Sequence, residues 1–478
     1  MGLFNSSKIP QPPLPNLAVY LDDTEDKVYR PNEVVKGHVI LTPVASIEPH
    51  ALQVSLFGQL LVWHRTSGST DDSSDYYHWR DNAPFFIVTQ NILHTATTTA
   101  YGDEKEKQPV TSRLEAGQTY RVSFQFTFPA RTGKTRAGQY KHDNDQKYTI
   151  GLHNLPPTFL LTNRAMPKRK LPPSYPPWSC KQSGGDALDA NFAKIEYGIR
   201  ATLICPCVGV VQGKSLADLT AALTVFFQPT NPTLPFASHT ALHRYLKTFT
   251  LQCSSLSTNP PEHIGFRQSI RDRFSSSIPK IDFEAALETP DQFTSGTEFR
   301  FRASLTTLLR SSNVGHIPPS VTFTVLKLDL LDFTFYRAPR DRDADRSRSG
   351  KHRSNKYESW PPPDQGFAVA KLEHEEFTEK KTPLNALPPS ATMEFGGLPA
   401  YTIMAGSEGK EGSDMQDQTR RCEQWFTARI PCATVPSFRS FAITRAYKIR
   451  VGLEVDFGGK KFKMETESLV GRMGSGGV

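Results

Sequence analysis

Apolar and polar residues alternate strictly through several long stretches of the chain. Leu52, Val54, Leu56, Leu60 and Val62 share one parity, while Gln53, Ser55 and Gln59 hold the other. Tyr120, Val122, Phe124, Phe126 and Phe128 do the same against Arg121, Ser123, Gln125 and Thr127. Ile195, Tyr197, Ile199, Ala201 and Leu203 form a third set. The longest runs through Phe441, Ile443, Tyr447, Ile449, Val451, Leu453, Val455 and Phe457, broken only by Arg445. Successive side chains of a strand point to opposite faces, so this pattern predicts antiparallel strands with one face buried and one wet. Val321, Phe323 and Val325 are followed by Leu326, Leu328 and Leu330 in the opposite parity, the phase change that a bulge produces. No segment has an equally clear helical period, and only Ala241 to Phe249 reads as a short helix. The expected fold class is all-β, with antiparallel sheets packed as sandwiches.

The predicted strands fall into two groups, one from Leu17 to Gln228 and one from Ile281 to Val470. Residues 1–230 are therefore expected to form one β-sandwich domain and residues 278–470 a second, with 471–478 as a tail. Between them, residues 231–277 are rich in Pro, Ser, Thr and Asn and read as a linker or large loop. An insert at 337–366 opens with Arg337 to Lys356, which carries eight Arg/Lys and three Asp but almost no apolar residues. It closes near Trp360-Pro361-Pro362-Pro363. Such a stretch buries too little apolar surface to order itself. A second soft insert spans Gly406 to Gln418.

Composition narrows the function classes. The chain has 478 residues, enough to bury full cores without disulfides. Its 37 prolines outnumber its 31 glycines, and 30 phenylalanines stand against 7 methionines, which suits strands joined by proline-rich loops. The longest nearly apolar stretch, Ala201 to Val211, is far short of a membrane span. No charged-then-apolar leader opens the chain, so secretion is not expected. Six cysteines do not make a disulfide framework, and Cys205-Pro206-Cys207 lacks a second pair at zinc spacing. A net charge of +8 is modest and dispersed, which permits contact with anionic lipid or phosphorylated tails without arguing for nucleic acid.

Catalytic motifs are not found. Gly133-Lys134-Thr135 and Gly213-Lys214-Ser215 echo a P-loop ending, but Phe128 and Val208 stand where its first glycine belongs. Neither HExxH nor GxSxG occurs, and His374-Glu375-Glu376 reads as a charged surface stretch without metal-binding spacing. No cofactor, metal or enzymatic activity is expected.

Val28-Tyr29-Arg30-Pro31-Asn32-Glu33-Val34-Val35-Lys36-Gly37-His38-Val39, with Asn32 in place of the usual turn glycine, is similar to the opening strands of the arrestin family. Asn tolerates that place because it enters the left-handed region readily. Glu115-Ala116-Gly117 before Tyr120–Phe128 and Pro129 resembles its G-x-x-x-[FY]-x-F-x-[FL]-P strand, and Leu155-Pro156-Pro157-Thr158-Phe159 its LPPSF motif. Ile317-Pro318-Pro319 and Pro436-Ser437-Phe438 resemble the C-terminal domain. The proline-rich, insert-laden layout is most similar to fungal α-arrestins. The tail typical of β-arrestins is not found after the last strand.

Interaction motifs sit beside this frame. Pro172-Pro173-Ser174-Tyr175 is a PPxY sequence. Prolines preset a polyproline-II helix that docks on WW domains, with the tyrosine in a neighbouring pocket. The same residues also read as a second LPPSF-like segment packed into the fold. Leu398-Pro399-Ala400-Tyr401 is a variant WW ligand. Met1-Gly2-Leu3-Phe4-Asn5-Ser6 matches the N-myristoylation pattern at Gly2. One acyl chain binds membranes only marginally, so Lys168-Arg169-Lys170 or the insert's arginines would have to assist at an anionic surface.

The resemblance implies a non-catalytic cytosolic adaptor. It would join the cytosolic tails of membrane transporters or receptors to a HECT-type ubiquitin ligase, through WW domains, for endocytosis. It would be cytoplasmic, with peripheral recruitment to the plasma membrane or endosomes. An alternative is a trafficking-complex subunit like retromer's arrestin-fold component, without ligase recruitment.

Overall fold

Each run of alternating residues is a strand in the computed structural model. The structure describes residues 15–24, 26–67, 76–93, 97–98, 113–133, 147–149, 151–162, 192–205, 219–229, 242–257, 278–310, 314–340, 373–395 and 420–474. The chain divides into two units. The first comprises Met1–Thr230, Phe335–Phe377 and Phe438–Thr444, and the second Asn231–Thr334, Thr378–Ser437 and Arg445–Val478. Among the described residues both are made of strands, with no α-helix. The all-β class expected from the alternation is the one observed.

The N-terminal stretch of the first unit supplies β1 (Asn16–Leu21), β2 (Val28–Tyr29), β3 (Val34–Thr42), β4 (Ala51–Ser67) and β5 (Tyr76–Asn91). It continues with β6 (Thr97–Thr98), β7 (Tyr120–Thr127), β8 (Phe159–Thr162), β9 (Phe192–Ile204) and β10 (Leu219–Phe227). One sheet has the order β1-β3-β7-β6 and the other β2-β10-β9-β4-β5, with β8 also on β9. Most pairings are antiparallel, and only two residues of β2 run parallel to β10. Leu52, Val54, Leu56, Leu60 and Val62 are all fully buried, as are their β9 partners on the same face.

Tyr197 is the centre of this core. Its ring lies 4.7 Å from Phe227, 6.0 Å from Phe128, 6.2 Å from Phe86 and 6.3 Å from Phe85. Its hydroxyl donates to the Pro156 carbonyl at 2.7 Å. The LPPTF segment is thus a structural strap, with Leu155 and Phe159 buried beneath it and Thr158 bonded to Phe227. Gly58 is where Tyr197 needs room. A Cβ there would stand 2.6 Å from the Tyr197 ring and 2.8 Å from Phe86, and the β4–β5 ladder shifts register at this point. Asn32 has φ of 65°, closing the Arg30–Glu33 turn in the left-handed region that its position demands. One expectation fails on β4. Gln59, placed on the wet face by parity, is buried and donates to the buried Glu196 at 2.5 Å, with Lys194 pairing the same carboxylate. A polar group sealed from water must find a partner, and these do.

The rest of the chain forms β11 (Leu242–Gln252), β12 (Lys280–Pro290), β13 (Gln292–Thr294), β14 (Glu298–Arg310), β15 (Ser320–Pro339) and β16 (Glu373–Pro383). After these come β17 (Ser390–Glu394), β18 (Arg421–Arg429), β19 (Phe438–Arg439), β20 (Ile443–Phe457), β21 (Lys460–Val470) and β22 (Arg472–Gly474). In the second unit one sheet has the order β11-β12-β14-β18. A second sets β15 between β16 and β20, with β17 on β15 and β21 on β20. Tyr447, Ile449, Val451, Leu453, Val455 and Phe457 point inward from β20 against Phe283, Phe301 and Phe426. Arg445, the exception in that run, is neutralised: it pairs with Asp332 and donates from Nε to the Tyr447 hydroxyl at 2.6 Å. Tyr447 in turn donates to the Val435 carbonyl at 2.6 Å.

Two expectations are corrected here. Leu242–Gln252, which takes in most of the Ala241 to Phe249 stretch expected as a short helix within a linker over 231–277, is an eleven-residue strand paired along its length with β12. Its inward set Phe249 and Leu251 is short, and the outward residues are mostly exposed, so alternation alone is weak there. The basic insert was expected to begin at Arg337, yet Arg337 and Ala338 are buried near the end of β15. Within the first unit, Arg337 donates to the Phe441 carbonyl at 3.0 Å and its guanidinium lies 4.2 Å over the Tyr148 ring.

Candidate functional site

The phase change in β15 lies beside a hollow of the second unit. Val321 and Phe323 face the core before it, and Leu328 and Leu330 face the core after it. Leu326 and Lys327 straddle the change, and Leu326 is left half exposed. On β20 the odd positions from Tyr447 to Phe457 are buried, so Gly452 falls in the outward row among Lys448, Arg450, Glu454 and Asp456. Lacking a side chain, Gly452 leaves room for Lys327 beside it; a Cβ there would stand 3.2 Å from the Lys327 Cβ. Lys327 Nζ thereby reaches Glu465, the register partner of Gly452 on β21, at 3.1 Å.

Around this row lies a cavity of about 520 Å³ lined by Tyr245 and Lys247 of β11, Leu326 and Lys327 of β15, Gly452 of β20, and Lys463, Met464 and Glu465 of β21. Lys247 Nζ donates to the Lys463 carbonyl at 3.1 Å and lies 5.1 Å over the Phe249 ring. Lys463 is well exposed and only loosely paired, 3.9 Å from Glu454. Three lysines and one glutamate thus line the cavity, with the Glu454 carboxylate beside Lys463. Glu465 is already engaged by Lys327, with Arg450 Nε at 3.7 Å. Arg450 is held mainly by Glu467, at 2.6 Å. The hydrogen bond to Glu467 pushes the Arg450 guanidinium above its ordinary value, and the same bond holds the Glu467 carboxyl below its own.

An apolar lining of Tyr245, Leu326 and Met464 beneath a surplus of amines suits an anionic group carried on a partly apolar body. Lysine presents a compact charge with three rotatable donors, so carboxylate and phosphate oxygens can both be met without fixed geometry. None of these lysines was singled out from sequence. The available signal was Gly452, a glycine in an otherwise charged outward row of a long strand. Tyr245 and Lys247 were hidden because their segment was read as a helix.

The residues that were singled out lie elsewhere. Gly2, Pro172, Pro173, Tyr175, Leu398, Pro399 and Tyr401 fall outside the described residues. His374 is described, and it is more than a surface charge: its ring packs 5.1 Å from both His64 and Trp79, while Nε2 lies 2.8 Å from Glu376. Among the described residues no cluster of three or more His, Cys, Asp or Glu is placed to hold a metal ion. No described helix is long and apolar enough to cross a membrane.

Neither a protein-family model nor the sequence of a curated protein matches this chain.

Proposed function

We propose that this chain is an arrestin-like, non-catalytic adaptor of the α-arrestin type. The lysine-bearing cavity of its second unit receives an acidic segment from the cytosolic part of a membrane protein. Pro172, Pro173 and Tyr175, with Leu398, Pro399 and Tyr401 as a second ligand, recruit a HECT-type ubiquitin ligase through its WW domains. Holding cargo and ligase on one chain replaces a rare encounter with an intramolecular one. The adaptor works from the cytoplasm, with peripheral recruitment to plasma membrane or endosomes and contact with anionic lipid. The observation that carries this reading is a lining of three lysines and one glutamate around Tyr245, Leu326 and Met464. It is supported by an all-β chain whose motif order resembles that family.

Two binding measurements test it. A labelled acidic peptide is titrated against the full chain by anisotropy, in wild type and in a Lys247→Glu/Lys463→Glu variant. At least tenfold weaker binding by the variant, with affinity falling as salt rises, is expected. Equal affinity in both proteins would remove the cavity from the reading. Separately, an isolated WW domain is expected to bind wild type and to lose affinity with Tyr175→Ala; no binding by wild type would remove the ligase link.

A further inference from the structure

The first unit contains a buried histidine that its fold does not satisfy. His64 of β4 is 1% exposed, and among the described residues neither ring nitrogen has a hydrogen-bond partner. Aromatic rings enclose it instead. Trp79 of β5 stacks on it at 6.1 Å, Tyr336 of β15 meets it edge-on at 5.7 Å, and His374 of β16 tilts against it at 5.1 Å. His374 also stacks on Trp79 at 5.1 Å, so the rings close on one another. Trp79 is fixed in turn by its Nε1 bond to Thr66 at 2.9 Å.

This cluster fastens two late segments of the chain, 335–340 and 373–377, to the β4–β5 hairpin. The other fasteners lie around it. Arg340 bridges to Trp79 through the backbone and places its guanidinium 4.0 Å over Tyr77. Lys147 pairs with Glu375 at 2.6 Å, and Phe335 stacks on Phe377 at 6.0 Å. The ionisable groups on the surrounding elements are Arg80 and Asp81 of β5, Tyr336 and Arg337 of β15, and His374, Glu375 and Glu376 of β16. Glu375 is committed to Lys147 and Glu376 to His374. Among the described residues no carboxylate accepts from His64.

We propose that the His64–Trp79–Tyr336–His374 cluster is an acid-sensitive latch: it holds residues 335–340 and 373–377 on the β4–β5 hairpin at neutral pH and releases them as the medium becomes acidic. A neutral imidazole can stay in this dry setting, whereas an imidazolium without a partner there is strongly disfavoured. Once the segments lift, the ring meets water and binds a proton near the ordinary histidine value of about 6.5. Opening therefore takes up one proton. Burial first, and the neighbouring His374 second, lower the His64 imidazole to about 3 while the latch is shut. Between those limits the open form binds the extra proton, so the opening constant rises about tenfold for each pH unit of acidification.

Hydrogen exchange of the full chain tests this, with rates corrected for intrinsic pH dependence. Peptides covering 76–82 and 373–377 are compared with a peptide from 449–455 at pH values from 7.5 to 4.5. In wild type the first two are expected to gain about tenfold in opening per pH unit below 6.5, ahead of the third. In His64→Phe that slope is expected to vanish. A flat profile in wild type, or a slope that survives in His64→Phe, would overturn the proposal. Should His64→Phe not fold, NMR titration of the wild-type His64 ring decides: no protonation above pH 5 in the closed state supports the latch, and a midpoint near 6.5 with the segments still protected refutes it.

Discussion

Replacing Arg445 by methionine should destabilise the second unit in a strongly pH-dependent way. Arg445 and Asp332 are paired with side chains only 13% and 11% exposed. Removing the cation leaves a carboxylate buried without its counter-charge, which costs about 3–5 kcal/mol where such pairs have been broken. Burial already lifts the Asp332 carboxyl above its usual range, with Arg445 the chief group opposing the lift. A carboxyl whose folded value is raised holds its proton more tightly in the folded state. Its contribution therefore favours folding at acid pH and is lost as pH rises through the raised value. Without Arg445 that value climbs further, so the deficit of the variant is greatest near pH 7.5. It shrinks by up to about 1.4 kcal/mol per pH unit as acidification protonates Asp332 in the variant. Opening free energies of the 449–455 amides of β20, measured by native-state exchange at pH 7.5 and pH 5, report this directly. Adding Asp332→Leu to the variant should recover most of the loss, since an apolar pair needs no compensation. A deficit below about 1 kcal/mol, or one equal at both pH values, would refute the reasoning.

Two further substitutions probe the first unit. Gly58→Ala forces a methyl to 2.6 Å from the Tyr197 ring in a filled core, so a loss near the upper end of about 1–3 kcal/mol is expected in thermal unfolding; a change within 0.5 °C of wild type would show that Tyr197 has space to move. Asn32→Gly should leave stability within about 0.5 kcal/mol, while Asn32→Ala at φ of 65° should lose about 1–2 kcal/mol. Equal melting of those two variants would contradict a left-handed turn.

Legibility from sequence followed burial on one face. Every apolar residue of the Tyr120–Phe128 and Tyr447–Phe457 runs is buried. The second face of the Tyr120–Phe128 strand is exposed, and that of the Tyr447–Phe457 strand carries mostly charged residues, so period two is visible in both. Alternation misleads where a polar residue is enclosed or where neither face is. Gln59 shares the parity of exposed residues but is shut in with Glu196, because what covers the second face of a sheet comes from distant parts of the chain. β11 failed the opposite way, since most of its side chains are exposed and its hydrophobic signal is thin. His374 reads as surface because two carboxylates follow it; the rings of His64 and Trp79 that meet it come from residues about three hundred positions earlier.

What the sequence determined by itself is the all-β class, the parity of the core strands and the turn at Asn32, all set by neighbouring residues and backbone stereochemistry. The tertiary structure alone decided which lysines line one cavity, which partner neutralises Arg445, and that His64 is enclosed without a hydrogen bond. Those features join residues from separate strands and sheets. Their energies depend on how far water is excluded at each place, a property of the packed chain that no local pattern encodes.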